Sequence, residues 1–256
     1  MKRGYFFSAA LLCFLSLLAP YVQTASADQE LIVSAAASLT NAFGEIGKKF
    51  EAANPGVRAV LNFAASGNLL QQIANGAPVD VFASADEKTM DQAKEKNLIL
   101  PDTRKDFARN ELVLITPISS GIPIVTLKDL NKKEVGKIAL GNPDTVPAGR
   151  YAKEVLTNEG SWQELVPKFI FGDSVRQVLD YVSRAEVEAG FVFSTDAAVA
   201  KDRVKVALEA KNHKPIIYPI AVVSSTKKKD LAERFVSFVL DKESRAILSK
   251  YGFETP

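Results

Sequence analysis

Leu31-Ile32-Val33-Ser34-Ala35-Ala36-Ala37-Ser38-Leu39-Thr40-Asn41-Ala42-Phe43 is the stretch that decides how this chain is read. Leu31–Val33 has the character of a short strand. After Ser38, the apolar residues Leu39, Ala42, Phe43, Ile46 and Phe50 recur at the three-and-four spacing of a helix buried on one face. Ser38 stands between the two, where an N-cap is expected, its hydroxyl accepting from a first-turn N–H. A strand that delivers a hydroxyl and unpaired N–H groups to a helix start also suits an anion, because those donors and the helix dipole favour negative charge. Capping alone would explain Ser38. Its recurrence elsewhere argues for more.

Working outward, Asn54-Pro55-Gly56 is a turn and Val57–Phe63 a second strand, followed by Ser66 and a helix through Leu69, Leu70 and Ile73. Ser66 repeats the placement of Ser38. Val79–Ala83 reads as a third strand, with a helix from about Glu87 to Lys96 after it. Glu111–Thr116 and Lys137–Leu140 follow as strands, and Gly141–Arg150 is a proline-containing loop that puts the N–H groups of Ala148–Arg150 at the start of a helix through Tyr151–Leu156. Lys168–Phe171 leads through Gly172-Asp173-Ser174 into a helix that buries Val175, Val178, Leu179 and Val182. Gly190–Phe193 is a further strand, Ile216–Val223 a long one interrupted by Pro219, and Leu231, Phe235, Phe238 and Val239 mark a C-terminal helix. This alternation predicts an α/β fold with parallel sheets covered by helices on both faces. Such sheets bind ligands at the carboxyl ends of their strands. Ser38, Ser66, Ala148 and Val175 all lie in connections of that kind, without a cluster of charge. The pattern points to a small oxyanion held by hydroxyls and backbone N–H groups.

Met1-Lys2-Arg3, the apolar Gly4–Ala19 and the A-x-A site Ala25-Ser26-Ala27 fit a cleavable secretory signal peptide over residues 1–27. Cys13 is the one cysteine of the chain and falls inside that segment, after Ala10-Leu11-Leu12, a poor lipoprotein site. The mature protein is thus expected to be exported, unlipidated and free of disulfide or thiol chemistry. Of 32 basic and 30 acidic residues the leader removes Lys2 and Arg3, leaving 30 of each. That balance gives no reason to expect nucleic acid or an anionic membrane as partner. The length suits one large domain or two lobes.

Enzymatic readings find little support. His213 stands alone, so a histidine metal site or triad lacks a second member. Ser66 precedes Gly67 but has no glycine two residues upstream, as a nucleophile elbow requires, and no phosphate-binding Gly-x4-Gly-Lys loop occurs. Asp80, Asp86 and Asp196 are expected to cap or stabilise local structure. Arg150 and Arg176 border the proposed site and are expected to be solvated. Trp162 is read as a packing residue.

In order and spacing, Ala35–Ala42, Phe63–Ser66, Gly76–Asp80, Ser84–Asp86, Val146–Gly149, Tyr151–Lys153, Asp173–Arg176, Tyr218–Val223 and Tyr251–Phe253 together resemble the periplasmic molybdate-binding proteins of ABC uptake systems. The resemblance covers almost the whole chain after residue 27. It implies a type II periplasmic binding fold: two Rossmann-like lobes joined by two crossover strands, with Glu111–Thr116 and Ile216–Val223 fitting the crossovers. The expected division is 28–112 with 220–256 in one lobe and 113–219 in the other. It also implies a non-enzymatic receptor, without a cofactor, whose transported ligand is molybdate or tungstate. Molybdenum would enter only as that oxyanion, bound by Ser38 and Ser66 through hydroxyl and N–H groups and by Ala148 and Val175 through N–H groups. A fifth family position, a tyrosine, is Phe193 here. The implied partners are a membrane permease with its cytoplasmic ATPase, and the receptor itself is expected to be a periplasmic monomer. A receptor for another oxyanion such as sulfate, and an exported enzyme acting on an oxyanion ester, are the competing readings.

Overall fold

The computed structural model describes Met1 and residues 29–256, so the leader, apart from Met1, and Cys13 with it, lies outside the described residues. The chain runs β1 (Gln29–Ala36), α1 (Thr40–Ala53), β2 (Val57–Ala64), α2 (Ser66–Ala74), β3 (Val81–Ala83), α3 (Glu87–Glu95) and β4 (Lys105–Asn110) through a first lobe. It then forms β5 (Leu112–Pro117), β6 (Ile138–Gly141), α4 (Pro147–Asn158), α5 (Trp162–Leu165), β7 (Phe169–Gly172), α6 (Val175–Ser183), β8 (Ala189–Phe193), α7 (Ser194–Val199) and β9 (Val204–Glu209) in a second. β10 (Ile216–Val222), α8 (Lys229–Val239) and α9 (Lys242–Lys250) return to the first.

Each lobe is built on a five-stranded sheet, ordered β2-β1-β3-β10-β4 in one and β7-β6-β8-β5-β9 in the other. The two orders are equivalent, which makes β1 the counterpart of β6 and β2 the counterpart of β7. Within each sheet the βα units are parallel, as the alternation predicts: β1 pairs with β2 and β3, and β6 with β7 and β8. The sheets as wholes are mixed, however. β10 is antiparallel to β3 and β4, and β5 to β8 and β9. These two strands enter their sheets from the junction between the lobes, the edge at which the other strands end. They therefore run the opposite way.

The chain passes between sheets at Glu111 and within residues 210–215. The exchange points expected from the sequence, 112/113 and 219/220, differ because β5 pairs wholly in the second sheet and β10 wholly in the first. Pro219 does not break β10 but coincides with a register shift against β4, where a missing N–H is tolerated. β4 and β9 went unpredicted. Both are edge strands: β4 has only Phe107 and Ala108 as apolar residues, and the apolar residues of β9 are mostly half-buried or exposed after Val204.

Packing follows the spacing. α1 buries Ala42, Phe43, Ile46 and Phe50, and α6 buries Val175, Val178, Leu179 and Val182. Phe43 and Phe50 meet Phe235 of α8 edge-on at ring-centroid distances of 6.2 and 5.0 Å, and Phe43 meets Phe107 of β4 at 5.7 Å. Burying each such ring is worth about 1.5–3 kcal/mol. This cluster fixes α1, and with it the turn that carries Ser38.

Candidate functional site

Ser38 follows β1, Ser66 follows β2, Ala148 follows β6 and Val175 follows β7. Each lobe therefore contributes the same two βα turns, related by the equivalence of the sheets. The four residues line one small, tight cavity between the lobes, about 10 Å³ in volume, together with Ala85 and Phe193. No charged side chain lines it.

Neither serine caps a helix with its side chain. Ser38 sits inside a short 3₁₀ turn, Ala37–Leu39, that precedes α1, and Ser66 is the first residue of α2 after an Ala65 N-cap. Their hydroxyls are used otherwise. Ser66 Oγ accepts from the backbone N–H of Ala85 at 3.0 Å, and Ser38 Oγ lies 3.0 Å from the Tyr218 hydroxyl. The capping expectation fails because each turn aims its hydroxyl across the lobe rather than back along its own helix.

Among the described residues, the backbone N–H groups of Ser38, Ser66, Ala148 and Val175 have no acceptor in the chain. All four residues are buried. Helix starts leave such donors by construction, yet buried N–H groups are almost always paired. Four of them, directed from two lobes onto one cavity beside two hydroxyls, call for a ligand made of acceptors. Pro147 at the first position of α4 pre-sets that turn without spending a donor. Gly149 lets it pack close, since a Cβ there would lie 1.9 Å from the Gly141 carbonyl oxygen.

The two arginines are neither solvated nor part of the cavity lining. Arg150 of the second lobe bonds Asp86 of the first at 2.6 and 2.8 Å and donates to Thr89 Oγ1 at 2.7 Å. Asp86 also caps α3, accepting from Thr89 N at 3.1 Å. Arg176 pairs with Asp196 of its own lobe at 2.5 Å and reaches across to Asn41 Oδ1 at 2.8 Å and the Ser38 carbonyl at 3.3 Å. A further interlobe bond joins Gly67 N–H to the Thr145 carbonyl at 2.9 Å. The lobes are thus clasped around the cavity. Asp196 is fully buried, and burial raises its pKa although Arg176 opposes the shift. Asp80 is structural, accepting from Ile32 N–H and Lys228, and Trp162 packs on Phe169 at 4.7 Å. Among the described residues no group of three potential metal ligands occurs.

Three nearby residues had not been singled out for the site. Ala85 belongs to a quoted motif but carries no side-chain signal; its N–H fixes Ser66. Asn110 and Tyr218 come together only through the junction of the lobes, with Asn110 Nδ2 donating to the Tyr218 oxygen at 3.1 Å. Burial pushes the Tyr218 hydroxyl well above its usual pKa, so it stays protonated. The Phe193 ring sits 5.8 Å from Tyr218 and 6.5 Å from Tyr151.

Comparison with known proteins agrees with this geometry. Residues 31–254 match the family described as bacterial extracellular solute-binding proteins. YvgL of Bacillus subtilis strain 168, named provisionally as an ABC transporter substrate-binding lipoprotein, is 37% identical over 258 residues, covering 98% of each chain. The molybdate-binding protein ModA of Escherichia coli K12 is 37% identical over 229 residues, covering 88% of each. The solved structure of the Azotobacter vinelandii periplasmic molybdate-binding protein superposes with a TM-score of 0.78 at 28% identity, covering 88% of this chain and 99% of that one. These relatives are binding proteins of transport systems rather than enzymes. With its paired βα turns, its two-lobed type II fold and this match over nearly all its described length, the chain belongs to the family of bacterial extracellular solute-binding proteins.

Proposed function

We propose that this protein is a periplasmic receptor, released by cleavage of residues 1–27, that captures molybdate and tungstate and delivers them to an ABC permease with its cytoplasmic ATPase. It acts as a monomer, since each lobe supplies half the donors. The observation that carries this reading is the convergence of four unpaired backbone N–H groups and two serine hydroxyls on a cavity without cationic side chains. Ser38 and Ser66 bind through hydroxyl and N–H groups, Ala148 and Val175 through N–H groups, and Phe193 forms part of the wall. Charge-assisted hydrogen bonds contribute about 1.5–3 kcal/mol each. Donors alone favour a fully deprotonated dianion, and cavity size selects among dianions. Calorimetric titration with molybdate, tungstate, sulfate and phosphate is the test. Tight heats with the first two and weak ones with the others are expected; preference for sulfate or phosphate, or no heat at all, overturns the assignment.

A receptor for a different oxyanion such as sulfate has one observation in its favour. The resemblance places a tyrosine donor where Phe193 stands, and a lost charge-assisted bond weakens a complex about tenfold to hundredfold. Phe193→Tyr is accordingly expected to tighten molybdate binding. Equal or weaker binding by that variant shows that the cavity is shaped around the phenyl ring.

A further inference from the structure

Asn110 ends β4 at the junction of the lobes and is buried. Its Oδ1 accepts from the Glu111 backbone N–H at 2.9 Å and from Ser194 Oγ at 2.9 Å. A backbone N–H can only donate, so reversing the amide would set N–H against N–H. The amide is therefore locked, with Nδ2 facing Thr195 Oγ1 at 2.9 Å and the Tyr218 oxygen at 3.1 Å. Tyr218 accepts from Asn110, which leaves its own hydrogen to place. Among the described residues the one acceptor in reach is Ser38 Oγ, 3.0 Å away. If Ser38 donated to Tyr218 instead, a buried phenol hydrogen would be stranded, a penalty that native interiors avoid. The direction of the whole chain is thus set at Glu111 N–H: Asn110 gives to Tyr218, Tyr218 gives to Ser38, and the Ser38 hydrogen is left for the cavity.

We propose that Tyr218, held by Asn110, is a specificity-determining residue of this receptor: by donating to one of the two lone pairs of Ser38 Oγ it leaves the Ser38 hydrogen no acceptor but the ligand, and so favours unprotonated over protonated oxyanions. This rests on reading the cavity as an oxyanion site. Tyr218 does not line the cavity and acts through Ser38, so it is a positioning residue. At Ser66 the same role falls to the backbone N–H of Ala85, which no side-chain substitution removes. Tyr218 is the half of the arrangement that mutation can release.

In Tyr218→Phe the Ser38 hydroxyl can turn and accept from a protonated oxygen. Asn110→Asp keeps the tyrosine but reverses the chain: the carboxylate accepts from Tyr218, Tyr218 accepts from Ser38, and the Ser38 hydrogen is drawn away from the cavity. The experiment titrates wild type and both variants, each first shown to unfold cooperatively, with molybdate and sulfate as unprotonated anions and with inorganic phosphate and arsenate at neutral pH as protonated ones. Weak binders are read by competition. In either variant molybdate and sulfate are expected to weaken about threefold to tenfold, while phosphate and arsenate weaken less or tighten, so that the ratio between the classes narrows. A loss by the same factor for all four anions, or none, overturns the proposal and leaves Tyr218 as packing. Wild type that binds none of the four overturns the oxyanion reading itself.

Discussion

At the scale of single residues, the site is defined by what each polar hydrogen lacks. Ser38 and Ser66 have hydroxyl oxygens that already accept bonds, so removing either takes a donor from the ligand and an acceptor from the protein. Ser38→Ala and Ser66→Ala are each expected to weaken molybdate binding about tenfold to hundredfold. Each also orphans a buried donor, the Tyr218 O–H or the Ala85 N–H, at about 1–3 kcal/mol of stability. Calorimetry and denaturant unfolding read the two effects separately, and unchanged affinity in both variants would remove the serines from the site. Asp196 gives a pH dependence with a definite sign. Burial raises its folded pKa above the unfolded value near 3.8, so the folded state holds the proton longer. That stability is fully present below about pH 4 and is lost as pH rises through the folded pKa. Urea unfolding of wild type against Asp196→Asn, followed upward from pH 4, should show the wild type losing ground. Gaining ground instead would mean that Arg176 outweighs burial.

Among elements, the decisive one is α2, whose first turn carries Ser66 and meets the other lobe at Gly67. A Cβ on Gly67 would stand 2.6 Å from the Thr145 carbonyl oxygen, and the Gly67 N–H bonds that same oxygen. Gly67→Ala has two opposed consequences. It favours the helix itself by up to about 1 kcal/mol, and it obstructs the approach of the lobes. The variant is expected to unfold at the same or higher urea concentration while binding molybdate more weakly, with a larger radius of gyration at saturating ligand. Wild-type affinity would show that the lobes need not meet at this point. The arginine clasps work at the same scale, tying the start of α4 to α3 through Asp86 and the start of α6 to the Ser38 turn.

For the whole molecule, closure by a shared ligand follows from dividing the donors between two bodies joined by two chain segments. An anion that bonds both lobes favours the closed arrangement by its differential affinity. Ligand at a hundred times its dissociation constant adds about 2.7 kcal/mol of stability. For a chain of this size that raises the melting temperature by about 5–11 °C. Solution scattering should show compaction on addition of molybdate, and superimposable profiles with and without it would refute hinge closure.

The sequence by itself determined the elements whose signal is local. The periodic helices α1, α6 and α8, the apolar strands β1, β5 and β10, and the serine or backbone turns at Ser38, Ser66, Ala148 and Val175 were legible because each depends on residues within a few positions of one another. The mixed character of the sheets was not, since strand direction depends on which edge a strand enters from. Nor were the edge strands β4, with its two apolar residues, and β9, with a short apolar run that is only partly buried. The roles of Arg150 and Arg176 changed from solvated to clasping because their partners lie at Asp86 and Asn41, far away in the chain. Ser38 illustrates the division. Its place at a strand end is written in the neighbouring residues, but its hydroxyl is oriented by Tyr218 and Asn110, 180 and 72 positions along the chain. A hydrogen bond needs approach within about 3 Å, and only the tertiary structure brings those groups that close.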